Sequence, residues 1–138
     1  MDANNVESLL HKEITEEIIK AYYTVYNELG FGFLEKVYQN AMVEELKTSG
    51  FEVECQKKIL VHYKEKIVGE YFADIIVNNK VIIELKSCET IVQEHEVQLL
   101  NYLKATEIEV GLLLNFGKRV AFKRKICTNN NKKLNLFS

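Results

Sequence analysis

Two apolar runs in the middle of the chain carry charge where a buried strand has no use for it. Ile75-Ile76-Val77 and Val81-Ile82-Ile83 flank Asn78-Asn79, the pattern of two β-strands joined by a tight turn. Asp74 precedes the first run, and Glu84 and Lys86 close the second. Charges set into strands this apolar are costly unless they are paired or bind a metal. This hairpin therefore constrains the fold and the chemistry together.

Register decides whether the charges can act as one group. A two-residue turn at Asn78-Asn79 pairs Asp74 with Ile83 and puts the two carboxylates on opposite faces of the sheet. A three-residue turn that includes Lys80 sets Asp74 across from Glu84. Glu84 and Lys86, two apart, share a face in either register. The three-residue turn is the expected one, since it gathers two carboxylates and an ammonium on one face. Hard cations such as Mg²⁺ take oxygen clusters of this kind. A structural ion pair, with Lys86 neutralising one acid beside a solvated second, explains the same residues.

The rest of the chain reads ααβββαββ. Val6, Leu9, Leu10, Ile14, Ile18, Tyr22, Val25 and Leu29 recur at helical spacing and predict a helix over 6–29, broken by Gly30-Phe31-Gly32. A second helix is expected over about 33–49, with Gly50 as its C-cap. Glu35 and Tyr38 sit three apart near its start, on one face. Residues 51–63 read as a strand, and Lys64-Glu65-Lys66 turns the chain into the charged hairpin. Thr90-Ile91-Val92-Gln93 has the capping-box pattern, which predicts a third helix from just after Glu89 to about 106. Val92, Leu99 and Leu103 form one face of it; Glu94, His95, Gln98, Asn101 and Tyr102 form another. Two last strands, about 109–115 and 120–126, complete an α/β sandwich around a mixed sheet.

At 138 residues the chain fits one domain, with a core over about 10–126 and 127–138 as a flexible tail. Cys55, Cys88 and Cys127 are far apart with no CxxC pair, which argues against disulfides and a zinc site. No apolar run approaches the length of a membrane span, and 1–10 lacks a basic stretch followed by an apolar one. A cytoplasmic protein, off the membrane, is expected. Charge is distributed unevenly: residues 1–54 hold 11 acids against four lysines. Residues 110–138 hold Lys118, Arg119, Lys123, Arg124, Lys125, Lys132 and Lys133 and no acid. That end is suited to a polyanion, or to a solvated edge strand whose lysines discourage aggregation.

Taken together, these residues resemble a known pattern. Asp74 followed by Glu84-Leu85-Lys86 is similar to the PD-(D/E)XK nuclease signature, with Ala73 where a Pro is usual. Gly32-Phe33-Leu34-Glu35-Lys36-Val37-Tyr38 resembles the G-x-x-E-x-x-Y signature of the GxxExxY family, a branch of that superfamily. Gln98-Leu99-Leu100-Asn101-Tyr102 is similar to the Q-x-x-x-Y helix motif of its exonuclease-like branches. The resemblance covers roughly residues 10–126 and implies a restriction-endonuclease-like core, a mixed β-sheet flanked by helices.

What the resemblance implies is metal-dependent hydrolysis of nucleic-acid phosphodiesters, on DNA ahead of RNA. Asp74, Glu84 and the Leu85 carbonyl would hold Mg²⁺, with Mn²⁺ as a substitute. Lys86 would position the attacking water and stabilise charge on the phosphate. Glu35 would be a further carboxylate, reaching the metal directly or through water, with Tyr38 as its partner. Gln98 would orient the water or the scissile phosphate, supported by Tyr102, and His95 could touch phosphate. Lys118, Arg119, Lys123 and Arg124 could make sequence-neutral phosphate contacts. A core this small is expected to need a protein partner or a homodimer to hold a duplex. The alternative is a non-catalytic nucleic-acid-binding or assembly module that keeps its charges as a structural network.

Overall fold

The computed structural model describes residues 10–132. Val6 and Leu9 of the expected first helix, and residues 133–138 of the expected tail, Lys133 among them, lie outside the described residues. Helix α1, Lys12–Leu29, buries Ile18, Ala21, Tyr22 and Val25, the inner face of the predicted periodicity. Helix α2, Glu35–Thr48, buries Tyr38, Gln39, Met42, Val43 and Leu46. Gly50, with φ +88°, ends α2 in a Schellman turn. Its N–H donates to the Lys47 carbonyl at 2.9 Å, and the Phe51 N–H donates to the Leu46 carbonyl at 3.2 Å.

Strands β1 (Val53–Tyr63), β2 (Lys66–Val77) and β3 (Val81–Lys86) follow, then helix α3 (Gln93–Lys104) and strands β4 (Val110–Phe116) and β5 (Val120–Ile126). They form one five-stranded sheet in the order β1-β2-β3-β4-β5. Only β3 and β4 run parallel. A parallel pair needs a crossover, and α3 supplies it. The order ααβββαββ and the mixed sheet between helices are those the sequence predicts. Alternation along the strands divides the core. Ile75, Val77, Val81, Ile83 and Leu112 pack against α1 and α2, while Ile76, Ile82 and Leu113 pack against Leu99, Tyr102 and Leu103 of α3. No helix of the described residues is long and apolar enough to cross a membrane.

The turn between β2 and β3 is the three-residue one. Asn78 and Asn79 take φ of 51° and 53°, a left-handed conformation that asparagine tolerates better than most residues. Lys80 donates its N–H to the Val77 carbonyl at 2.9 Å. The ladder is Val77↔Val81, Ile76↔Ile82, Ile75↔Ile83, a register that carries Asp74 opposite Glu84.

Two expectations need correction. Helix α3 starts at Gln93 rather than just after Glu89, because Ile91-Val92 is a β-branched pair and Val92 stays extended. Thr90 caps nothing; its carbonyl accepts the Cys88 thiol. The buried face of α3 is Leu99, Tyr102 and Leu103, so Tyr102 joins the apolar side and Val92 is exposed. The second correction concerns 127–132, expected to be a flexible tail. Cys127 donates to the Glu109 carbonyl at 2.8 Å, and a short 3₁₀ turn covers Asn129–Asn131. Lys132 is buried, with its ammonium on the Thr106 and Ile108 carbonyls at 2.8 Å each. Those carbonyls follow the end of α3, and a lysine is a suitable donor for them.

Candidate active site

The sheet divides at the charged hairpin. β2 stays paired with β1 out to Tyr63↔Lys66, and β3 stays paired with β4 out to Lys86↔Asn115. The ladder between β2 and β3 stops at Ile75↔Ile83. Beyond that point carboxylates take the place of carbonyls. Glu84 Oε2 accepts the Asp74 N–H at 2.7 Å, and Asp74 Oδ2 accepts the Leu85 N–H at 2.8 Å. The two acids thus stand in the crotch of a fork, each held by the backbone of the other's strand. An extended residue presents its N–H and C=O toward the same side. The Leu85 carbonyl therefore opens into the same fork as its N–H. Ala73 packs in the α3 cluster while Ile75, two residues on, packs against α1 and α2, so β2 rotates at Asp74.

Glu84 is buried, 7% exposed, and its carboxyl is pushed up to about 8. Burial is the main cause, and the Asp74 carboxylate adds to it; the Asp74 N–H and Lys86 pull the other way, and Glu35 adds a last small rise. Lys86 is half-buried and, among the described residues, makes no ion pair within 4.0 Å. A structural Lys86–carboxylate pair would require one. Glu35, the first residue of α2, is exposed and acts on Glu84 only through space. Among the described residues no group of three or more acidic, His or Cys side chains is close enough to hold a metal ion. The structure thus does not gather Glu35 with Asp74 and Glu84 into one such group.

Two residues beyond the sequence reading complete the surroundings of Asp74. The Gln56 amide donates to Asp74 Oδ1 at 3.2 Å and to Gln39 Oε1 at 2.8 Å. Gln56 sits opposite Asp74 with φ of 50°, a left-handed residue within β1. Gln39 lies one helical turn after Glu35, and that spacing was its signal. Gln56 gives none until β1 is laid beside β2. On the other wall, the Gln98 amide donates to the Tyr102 hydroxyl at 2.6 Å. Burial holds the Tyr102 phenol above its usual range, and the charges of Glu84 and Asp74 add to that.

Tyr38 does not serve Glu35. Its hydroxyl donates to the Gly30 carbonyl at 2.6 Å and accepts the Phe33 N–H at 3.2 Å, and its ring stacks on Phe116 at 4.2 Å. It fixes the loop that delivers Glu35, a loop whose Gly32 has φ of +109°. That loop is tied to the exit of β3, since Ser87 Oγ donates to the Phe33 carbonyl at 3.1 Å. Asn115, fully buried, holds the same exit: its side chain accepts the Cys88 N–H at 3.0 Å and donates to the Cys88 carbonyl at 2.8 Å. His95 serves the start of α3, its Nδ1 accepting the Val92 N–H at 3.3 Å.

The four basic candidates do not form one patch. Lys118 and Arg119 stand in the β4–β5 turn, at the end of the sheet where β3 exits. Lys123 and Arg124 lie within β5 and alternate between faces; Arg124 donates to the Leu10 carbonyl, and Lys123 lies near Glu96 of α3.

The donor set fits a hard divalent cation. Two carboxylates and a carbonyl share one fork, and a cation there would offset the burial and the like charge that raise Glu84. Mg²⁺ keeps several waters, so so few protein oxygens suffice. A family model described as the PD-(D/E)XK nuclease superfamily matches residues 12–126. The crystal structure of SSO0001 is similar over 94% of this chain, with a TM-score of 0.56 and 22% identity. The chain spans 63% of that protein's length, and the likeness is one of fold. No curated protein matches the chain.

Proposed function

The chain belongs to the PD-(D/E)XK nuclease superfamily, and from that premise we propose that it hydrolyses nucleic-acid phosphodiesters, DNA ahead of RNA, with one divalent cation. Mg²⁺ is the proposed ion and Mn²⁺ its substitute, held by Asp74, Glu84 and the Leu85 carbonyl. The observation that carries this reading is the forked hairpin: two carboxylates kept together against their repulsion, beside a lysine that neutralises neither. The Gly32–Glu35–Tyr38 spacing supports placing the chain in the GxxExxY branch.

When bound, the ion supplies a water of lowered pKa and positive charge against the phosphate. The remaining work falls to side chains. Asp74, fixed by the Leu85 N–H and the Gln56 amide, offers its oxygens in a set direction. Lys86 orients the attacking water and stabilises charge growing on the phosphate oxygens. Gln98, held by Tyr102, orients the water or the scissile phosphate from the α3 side. Glu35 acts through water rather than as a direct ligand, and Tyr38 acts on the loop that carries it.

The test is cleavage of labelled DNA, RNA and mononucleotides with Mg²⁺, Mn²⁺ or chelator, by wild type and Asp74→Ala. Metal-dependent cutting of polymers, lost in the variant, is the expected result. Hydrolysis of mononucleotides alone would replace the nuclease with an enzyme on a smaller phosphoester. No cleavage of any substrate, with the folded protein loaded with metal, would leave a binding module.

A further inference from the structure

Exposed rings stand on both sides of the carboxylate pair. On the β2 side, Tyr71 and Phe72 immediately precede Ala73-Asp74 and are 47% and 45% exposed. Tyr71 leans on Tyr102 with ring centres 5.6 Å apart and lines a groove of about 1010 Å³ between the β1–β2 ribbon and α3. Gln98, Tyr102 and Lys104 line the same groove, and Glu94 is the one acid among the described residues that line it. On the β3 side, Phe31 and Phe33 are 55% and 47% exposed. The Phe33 carbonyl is bonded by Ser87, the residue after Lys86. Phe31 lines a small pocket of about 170 Å³ together with Lys118 and one acid, Glu89, among the described residues.

We infer that the substrate lies across this site as a single strand, with unpaired bases stacked on Tyr71 to one side and on Phe31 to the other. The inference rests on the nuclease reading and names its substrate class. Base faces are hidden in a duplex and free in a single strand, and aromatic rings beside cations are what such a strand stacks on. Aliphatic side chains at these positions would serve a protein contact as well; rings interleaved with Lys104 and Lys118 match bases and phosphates together.

The experiment is fluorescence anisotropy in chelator, where no cutting occurs, with a short labelled single strand and a blunt duplex of the same sequence. Wild type is expected to bind the single strand at least about tenfold more tightly. Phe31→Leu and Tyr71→Leu are each expected to weaken it by roughly 5- to 100-fold and leave duplex binding unchanged. Phe31→Trp and Tyr71→Phe keep a ring and are expected to keep affinity, which separates stacking from a folding defect. Equal affinity for the two forms, or leucine variants that bind like wild type, would overturn the inference. So would a dimer that the leucine changes dissociate while single-strand affinity stays. Cleavage is read separately: tight single-strand binding without Mg²⁺-dependent cutting removes the nuclease reading and supports this one. Cutting with equal affinity for blunt duplex does the reverse.

Discussion

At the residue scale, Glu84 is the most consequential side chain, because its acid form is the one the fold prefers. Its carboxyl is raised from 4.5 to about 8, so across that window the native protein binds more protons than the unfolded chain. Stability then falls as pH rises from 4.5 towards 8 and stays lower above it. Glu84→Gln removes the dependence. Urea unfolding without divalent cations should find the variant about 2–4 kcal/mol more stable than wild type at pH above 8, and close to it in mild acid. A variant less stable at every pH would mean that the carboxylate is a structural partner. Lys86 gives the complementary prediction. Because it makes no ion pair among the described residues, Lys86→Met should change stability by no more than about 0.5 kcal/mol. Its cleavage rate should fall on the order of 10²-fold or more. A structural network would instead lose roughly 3–5 kcal/mol on the same substitution. These charges were legible in the sequence because they interrupt apolar strands, and gathering them on one face is what favoured the three-residue turn over the two-residue one. Gln56 was not legible, since its role exists only where β1 lies beside Asp74. Gln39 was half visible, one turn after Glu35.

At the element scale, the site depends on two loops, one before α2 and one after β3, laced to each other and to β4. The resemblance implies Tyr38 as a partner for Glu35, but its hydroxyl is engaged by the loop before the helix. At the first turn of a helix a long buried side chain points back over the preceding loop, so the hydroxyl meets Gly30 and Phe33. Tyr38→Phe should therefore cost about 1–3 kcal/mol in thermal or urea unfolding. It should leave the affinity for Mg²⁺ unchanged; a large loss of affinity would restore the direct role. On the other loop, a Cβ on Gly117 would come within 2.1 Å of the Cys88 carbonyl oxygen, a backbone atom that cannot swing aside. Gly117→Ala should displace the chain just after Lys86 and lower cleavage more than Asn115-distant surface changes do, with a clear drop in melting temperature. Unchanged melting and cleavage would show that this exit does not set Lys86. The late start of α3 has a similar lesson: the capping pattern at Thr90 is local, and the extended preference of Ile91-Val92 overrides it.

At the scale of the whole molecule, the fold was legible in outline because helical and strand periods alternate cleanly along the chain, and one parallel pair forces the α3 crossover. The fork was not, since a ladder that stops part-way leaves no mark on periodicity. Nor was the docking of 127–132, where a buried lysine rather than an apolar run holds the chain. The fork explains how a small sheet can hold two repelling carboxylates: each takes a backbone N–H that strand separation leaves open. The central claim is that this crotch is a site for one divalent cation. Calorimetric titration of Mg²⁺ near pH 7, in two buffers of different ionisation enthalpy, tests it most directly, since it counts ions bound and protons released together. The account predicts one ion, release of close to one proton as Glu84 gives up its acid form, and loss of both in Asp74→Ala. Binding that survives in Asp74→Ala, or no binding by the folded wild type, would contradict it.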